Sequence, residues 1–279
     1  MDAFSALLDD GGFKMISFDG YNLSHLLYAD DVLVFGEASI DNCTNLSRIL
    51  NTFANAIGLH VNFDNSSVML PKNLKNQEAI CQALSIHNIS HKITYLGIHL
   101  SFYSLKVADF MPLMDSISKK LSGWNAHLFS FVGQLQFLKF TILNSIAYLI
   151  CRSIIPKYVL KFFKRASSKF LLFGDLVSKN KIHMISYDRI CKPKFCGDLG
   201  IPSLAALHFV FNCSVISIMY NRGSPLSSWL IHRYYSPWRP TPNYASKFWK
   251  VVCKTAIVAK PFFNFRITAS APISLHWDH

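Results

Sequence analysis

The sequence predicts an α+β fold in which a small antiparallel region comes before a helical one. Short apolar segments separated by turn residues predict strands within residues 1–103. From Asp109 onward apolar residues recur at helical spacing, as at Leu113, Ile117 and Leu121. Of the 279 residues 51% are hydrophobic, so the chain can bury one large core or two smaller ones.

The first region is expected to alternate between helices and short strands. Residues 2–10 predict a helix and residues 13–17 a strand, which a turn at residues 19–20 follows. Ser39 suits the N-cap of a helix that ends at Gly58. The remaining expected elements are strands at 60–63, 67–70 and 92–100 and a helix at 75–87.

The second region is expected to contain longer helices. Ser130 is a candidate cap for a helix that runs to about Ile150, and another helix is expected from Pro156 to Gly174. From about Ser224 the chain becomes rich in Pro and Trp, which predicts a boundary or a loosely packed tail. We therefore expect three parts, which are residues 1–103, 104–223 and 224–279.

The charge balance favours a polyanionic partner. Lys and Arg number 28 against 16 Asp and Glu, a formal net charge of +12, and nucleic acid is the partner expected before a membrane. The apolar stretches 135–155 and 204–220 are interrupted by polar residues, which disfavours membrane insertion. Seven Cys without paired spacing and a start without a basic signal region predict an intracellular protein, nuclear or cytoplasmic, rather than a secreted one.

Residues 26–35 carry the most informative pattern. Two apolar, β-prone arms flank Asp30 and Asp31, which predicts a tight hairpin with both carboxylates at the turn. Clustered carboxylates often bind a hard cation such as Mg2+. Asp also occurs in ordinary turns, where its side chain bonds to the local backbone. The residues of this stretch by themselves leave both interpretations open.

Several segments in order resemble one enzyme family. Tyr28-Ala29-Asp30-Asp31 between apolar strands resembles the catalytic hairpin of a reverse transcriptase. Together with residues 58–62 and Tyr95-Leu96-Gly97, it resembles the plant LINE-type (non-long-terminal-repeat) retrotransposon reverse transcriptases. Residues 128–139, 190–194 and 199–201 resemble the thumb region of that family and the segment after it. The resemblance extends from about residue 3 to about residue 235.

The resemblance implies a partial palm followed by an all-α, thumb-like bundle, and RNA-directed DNA synthesis from deoxynucleoside triphosphates. It implies that Asp30 is a Mg2+ ligand and that Asp31 is its weaker catalytic partner. Tyr28 and Ala29 would shape the turn beside the primer end. Leu96 and Gly97 would lie at the primer-contacting junction of palm and thumb.

The chain departs from the family pattern in ways that predict lost activity. The family's other metal-binding Asp and its fingers precede anything in this sequence, and none of Asp2, Asp9, Asp10 and Asp19 is expected to replace that Asp. Asn65 stands where the family carries Lys, and an amide cannot donate a proton as an ammonium can. Gln134 stands where relatives often have Arg. We therefore expect that this chain does not polymerise by itself.

Basic residues are concentrated in the thumb-like part. Residues 157–194 hold ten Lys or Arg and two Asp, a local net charge of +8. We expect a helix face there to contact the phosphates of an RNA template or an RNA–DNA duplex. The candidate contacts are Lys157, Lys161, Lys164, Arg165 and Lys169.

Other functions have less support. A solvated helix surface is the alternative for the basic face. Zinc binding by Cys191 and Cys196 has no usual ligand spacing, and no nucleophile elbow supports a hydrolase. Three hypotheses remain, which are a truncated reverse transcriptase, a non-catalytic nucleic-acid-binding remnant, and an inert transposon-derived reading frame with an uncovered sheet edge.

Overall fold

The structure, a computed structural model, describes residues 2–18, 20–123, 129–174, 176, 186–192, 194–196, 199–221, 224–264, 273–274 and 276–278. The chain divides into two units, Met1–Ser104 and Leu105–His279. Among the described residues the first unit carries the strands and the second is helical. The predicted α+β class is therefore confirmed.

The first unit alternates helices with short antiparallel ribbons. In the described residues the strands form three separate two-stranded sheets, each a hairpin, rather than one continuous sheet. The elements are α1 (Asp2–Asp10), β1 (Ile16–Phe18), β2 (Tyr21–Leu23), β3 (His25–Tyr28), β4 (Asp31–Val34), α2 (Ile40–Ile57), α3 (Gln77–Leu84), β5 (Lys92–Tyr95) and β6 (Ile98–Ser101).

One core of this unit lies where α1 and α2 meet the β3–β4 hairpin. The residues buried there are Phe4, Leu8, Phe13 and Ile49. The apolar faces of the two helices therefore pack against one another and against the hairpin. A second core, which includes Cys43 and Ile80, joins α2 to α3.

Buried Asn42 on α2 connects the chain on both sides of β1–β4. Its Oδ1 accepts a hydrogen bond from the backbone N–H of Lys14 at 2.7 Å. Its Nδ2 donates to the carbonyl oxygens of Lys14 and Glu37, both at 3.0 Å. The side chain thereby satisfies backbone groups that enter and leave the strand region, which positions the hairpins on the helices.

Two predicted strands of this unit are wrong, and a third is divided in two by a turn. Residues 60–63 and 67–70 form turns and loop, with one isolated parallel bridge between Val68 and Ile89. Asn62 explains the first error, since its Oδ1 accepts from the N–H of Asn65 at 3.2 Å, and such local bonds compete with strand pairing. The expected strand 92–100 is the β5–β6 hairpin, because Leu96 and Gly97 both have positive φ, 50° and 74°, and reverse the chain.

The second unit contains the elements of the predicted thumb-like region and the C-terminal helices. Ser130 accepts from the N–H of Gly133 at 3.3 Å, as a cap should. The helical run that follows consists of a helix (Phe131–Phe137), a π-helical turn (Leu138–Leu143) and a second helix (Asn144–Arg152), so the predicted long helix is confirmed with one widened turn. The helices are α4 (Met111–Gly123), α5 (Phe131–Phe137), α6 (Asn144–Arg152), α7 (Lys157–Phe173), α8 (Tyr187–Ile190), α9 (Leu204–Tyr220), α10 (Pro225–Tyr234) and α11 (Lys247–Ala259).

The helix predicted from Pro156 to Gly174 is also confirmed. Pro156 precedes α7, and Gly174 ends it in the left-handed conformation with φ of 71°. Phe163 and Phe170 on α7 are almost fully buried in the core that this helix shares with the long helical run.

Residues 224–264 are packed, so the alternative of a loosely packed tail, as opposed to a boundary, is wrong for them. Residues 265–272, 275 and 279 of the expected tail lie outside the described residues. Helices α10 and α11 pack on α9 around Trp249, which is 1% exposed. The ring of Tyr234 stacks on Trp249 with centroids 4.2 Å apart. The Trp and Pro residues that suggested an irregular tail supply core area and helix boundaries instead, and large aromatics bury enough apolar surface to hold three helices together.

Within the described ranges, the helices are individually too short or too polar to cross a bilayer. Only α9 and α10 taken together, with a bend of 91° between them, meet the length and composition of a span.

Candidate functional site

The β3–β4 hairpin carries the predicted catalytic residues at its end. His25 pairs with Val34, Leu27 with Val32 and Tyr28 with Asp31. Ala29 and Asp30 form the two-residue turn, and Ala29 has a φ of 50°. One detail of the prediction is wrong, since Asp31 is the first residue of β4 and not a turn residue. A two-residue loop closes best directly on a strand pair, which puts Asp31 opposite Tyr28.

We call Tyr28, Ala29, Asp30 and Asp31 the acidic tip. All four residues are exposed, and the side chain of Tyr28 is 61% exposed. Paired strand residues lie on the same face of a ribbon, so Asp31 shares a face with Tyr28. The carboxylates are therefore solvated and accessible to a cation or a polar ligand.

The base of the hairpin is attached to the helices. Leu27 and Val34 lie on the opposite face from Asp31 and pack against the core of α1 and α2. His25 connects two hydroxyls, with Nε2 3.1 Å from Oγ of Ser5 and Nδ1 2.8 Å from Oγ of Ser24. The apolar face thus anchors the ribbon while its acidic tip extends into solvent.

The described residues do not complete a two-cation site. In those ranges no group of three or more His, Cys, Asp or Glu side chains is placed to hold a metal ion. Asp19 and the side chain of Asp2 lie outside the described part of the chain. Mg2+ takes six oxygen ligands in a near-ideal octahedron. Two adjacent carboxylates on one ribbon can offer it only part of that shell, so these residues do not fit a two-cation centre.

The other predicted primer-positioning residues lie elsewhere in the first unit. Leu96 and Gly97 form the turn of β5–β6, which is a different sheet from the one that carries the acidic tip. Leu96 is half-buried and Gly97 is exposed. The positive φ of both residues is typical of a tight turn, and the structure gives no evidence for or against a primer-contacting role.

Helix α7 of the second unit presents three of the five predicted basic contacts to solvent. Lys157, Lys161 and Arg165 are spaced by one helical turn and are exposed. Buried Phe163 and Phe170 hold the other side of the helix in the core. Helix α7 itself contains no acidic residue, and these three cations form a positive row along it, which we call the basic strip.

The other two predicted contacts are engaged within the protein. Lys164 forms an ion pair with Asp188, with Nζ and Oδ1 2.6 Å apart. Lys169 donates to the carbonyl oxygen of Leu176 at 3.2 Å, just beyond the end of α7. Lys164 and Lys169 are therefore less available for phosphate than helix spacing suggested.

Beside that ion pair lies a small buried group that sequence reasoning missed. The Tyr187 side chain is 8% exposed, and burial raises its pKa well above the usual range, with a smaller contribution from Cys191. Burial likewise raises the pKa of the Cys191 thiol to about 11. Only the thiolate form of Cys is a good nucleophile or metal ligand, and burial disfavours that form at Cys191. The sequence feature that could have predicted this buried group is the spacing of apolar residues within 187–191.

Comparison with known proteins places the chain near one plant protein. It is 25% identical over 99 residues to the Arabidopsis thaliana protein named "Putative ribonuclease H protein At1g65750". The matched segment is 36% of this chain and only 16% of that protein. No protein-family profile matches the sequence.

Proposed function

We propose that this chain corresponds to the catalytic hairpin and thumb of a LINE-type retrotransposon reverse transcriptase, and that it binds nucleic acid but does not synthesise DNA on its own. The observation that carries the proposal is the acidic tip, where Asp30 and Asp31 lie at the end of a paired ribbon. The basic strip supports it, and so does the similarity to a protein named for ribonuclease H, an activity on nucleic acid.

The expected lack of polymerase activity follows from the chemistry of nucleotide addition. One cation lowers the pKa of the attacking hydroxyl and another binds the triphosphate, and the two need ligands from more than one strand. Asp30 would supply a ligand to such a cation and Asp31 a weaker one. The remaining acidic ligand has no counterpart near the tip among the described residues.

A primer-extension assay on the full chain, with Mg2+ or Mn2+ and an RNA template, tests the catalytic part. We expect no template-dependent incorporation above a protein-free control. Incorporation that disappears in Asp30→Ala but persists in Asp9→Ala would overturn this part, because it would demonstrate a working centre at the tip.

Binding is expected at the basic strip through phosphate contacts. Three cations that each neutralise a phosphate predict a slope of log affinity against log salt of about −2 to −3. Lys161→Glu with Arg165→Glu should weaken binding of an RNA–DNA duplex and reduce the slope by about 2.

The matched control reverses two exposed lysines on α4, Lys119→Glu with Lys120→Glu, and so changes net charge equally. If both double variants weaken duplex binding to the same extent, the effect is one of net charge and the strip has no specific role. A flat salt dependence of the unaltered protein would refute nucleic-acid binding altogether.

One observation favours the inert alternative. Leu26 and Val32, on opposite faces of the hairpin, are 43% and 47% exposed, and exposed apolar ribbons with unpaired edges promote association between chains. Light scattering during purification separates the hypotheses, since the inert alternative predicts aggregates and the binding role needs a soluble protein.

A further inference from the structure

Two arginine–tyrosine pairs lie at the end of α10, on elements that the proposed function does not use. The guanidinium of Arg239 lies 5.1 Å from the ring centroid of Tyr235, and that of Arg233 lies 5.1 Å from the ring centroid of Tyr244. The tyrosines are 57% and 62% exposed. We call these four residues the aromatic–arginine cluster.

The two pairs form one surface. The hydroxyl of Tyr244 donates to the carbonyl oxygen of Arg233 at 3.4 Å, and Arg233 precedes Tyr235 by two residues. The loop that carries Arg239 and Tyr244 therefore folds back on the end of the helix. Both rings are presented within a short stretch of surface, each with a cation nearby.

Tyr235 is held outward by a strained backbone. Its φ and ψ are 64° and −54°, and the N–H of Ser236 donates to the carbonyl oxygen of Tyr234 at 2.8 Å. This is the strained form of the γ-turn, which a bulky residue rarely adopts. The residues on either side of Tyr235 hold this backbone conformation in place, because both are buried. Tyr234 stacks on Trp249 in the core and Ser236 is 1% exposed. Strain of this kind tends to occur at ligand sites.

The sequence around the cluster is basic over a long distance. Residues 199–277 contain eight Lys or Arg and no Asp or Glu. Lys247 and Lys250, in the first turn of α11 shortly after Tyr244, are exposed. The next acidic residue along the chain, Asp278, is 3% exposed, so residues 199–277 bring positive charge and no carboxylate to the cluster, and the carboxylate that follows them is buried.

We propose that the aromatic–arginine cluster binds single-stranded nucleic acid, with bases stacked on Tyr235 and Tyr244 and phosphates near Arg239, Lys247 and Lys250. Exposed rings favour a single strand over a duplex, because only unpaired bases can leave the helix and stack on a side chain. This surface lies on α10, α11 and the loop between them, whereas the basic strip lies on α7. The two binding proposals can therefore be refuted independently of each other.

The test measures the affinity of the full chain for a labelled oligouridine of about 20 nucleotides, long enough to span a stacking platform. An RNA–DNA duplex of equal length is measured in parallel. Tyr235→Gly and Tyr244→Ala should each weaken oligouridine binding by about tenfold and leave duplex binding within about twofold. Lys161→Glu with Arg165→Glu should show the opposite preference.

Glycine at position 235 also separates binding from folding. It tolerates the positive φ, so Tyr235→Gly should leave the melting temperature unchanged or raise it. Phe140→Ala is the matched control, since Phe140 is 69% exposed on another helical segment, and it should bind oligouridine normally. The proposal is refuted if oligouridine does not bind, if Phe140→Ala weakens it equally, or if the tyrosine variants affect oligouridine and duplex alike.

Discussion

Replacing Asn42 should loosen the acidic tip without disturbing the second unit. Asn42 is 3% exposed and makes three hydrogen bonds, to the N–H and carbonyl of Lys14 and to the carbonyl of Glu37, at 2.7, 3.0 and 3.0 Å. Asn42→Ala removes all three hydrogen bonds, and the backbone groups of Lys14 and Glu37 must then bond to water or remain unpaired. At about 1 kcal/mol for each bond, with a further cost for any group that stays dry, the loss is about 2–4 kcal/mol.

The two units can be followed separately in the full chain. All five Trp residues belong to the sequence after Ser104, so tryptophan fluorescence during urea unfolding reports on the second unit. Hydrogen exchange of peptides from residues 13–37 reports on the hairpins. The expected loss corresponds to exchange that is faster by a factor of about 30 to 1,000 in the hairpins, with an unchanged fluorescence transition.

Asn45→Ala is the matched control. Asn45 lies on the same helix and donates one longer hydrogen bond to the carbonyl oxygen of Gly12, at 3.4 Å, so its loss should cost less than about 1 kcal/mol. Equal exchange in the Asn42 and Asn45 variants, or no change in the hairpin peptides of Asn42→Ala, would refute the role assigned to the buried amide.

Three further predictions concern other parts of the structure. Gly36→Ala should destabilise the first unit by about 1–3 kcal/mol, because a Cβ there would lie 2.4 Å from Cζ of Phe13. Hydrogen exchange of residues 13–37 measures this loss of stability, and an exchange rate equal to that of the unaltered protein would contradict the clash. Asp188→Asn should raise duplex affinity about twofold to fivefold by releasing Lys164. Asp115→Asn, at an exposed position of α4, should raise it less and serves as the control in fluorescence anisotropy. Burial raises the pKa of the Cys191 thiol from 9.0 to about 11. The contribution of this thiol to stability is therefore fully present below pH 9.0 and is lost as pH rises toward about 11. Cys191→Ala should remove that part of the alkaline loss of stability measured by urea unfolding, and a pH profile identical to that of the unaltered protein would count against the assignment.

Features that depend on a few neighbouring residues were predictable from the sequence. Ser39 and Ser130 cap helices where expected, with hydrogen bonds to the N–H of Asn42 and Gly133. Gly58 and Gly174 end helices where expected. The acidic residues lie at the end of a ribbon because apolar arms that flank a short polar break favour a hairpin.

Features that depend on distant partners were not predictable. Lys164 lies on the same helix as exposed Lys161, and only packing brings the carboxylate of Asp188, 24 residues later, to it. The composition of the Pro- and Trp-rich segment suggested an irregular tail. In the structure Trp249 of α11 shares a core with Ile216 and Met219 of α9, at least 30 residues earlier in the sequence.

The sequence by itself determined the fold class, the helix limits around α2 and α7, and the ribbon that carries Asp30 and Asp31. Tertiary structure decided which lysines remain exposed, that residues 224–264 pack on α9, and that Tyr235 is held outward next to Arg239. The physical reason is the range of the interactions. Caps and turns are set by backbone sterics and hydrogen bonds over a few residues, whereas burial and ion pairing depend on groups that only the folded chain brings together.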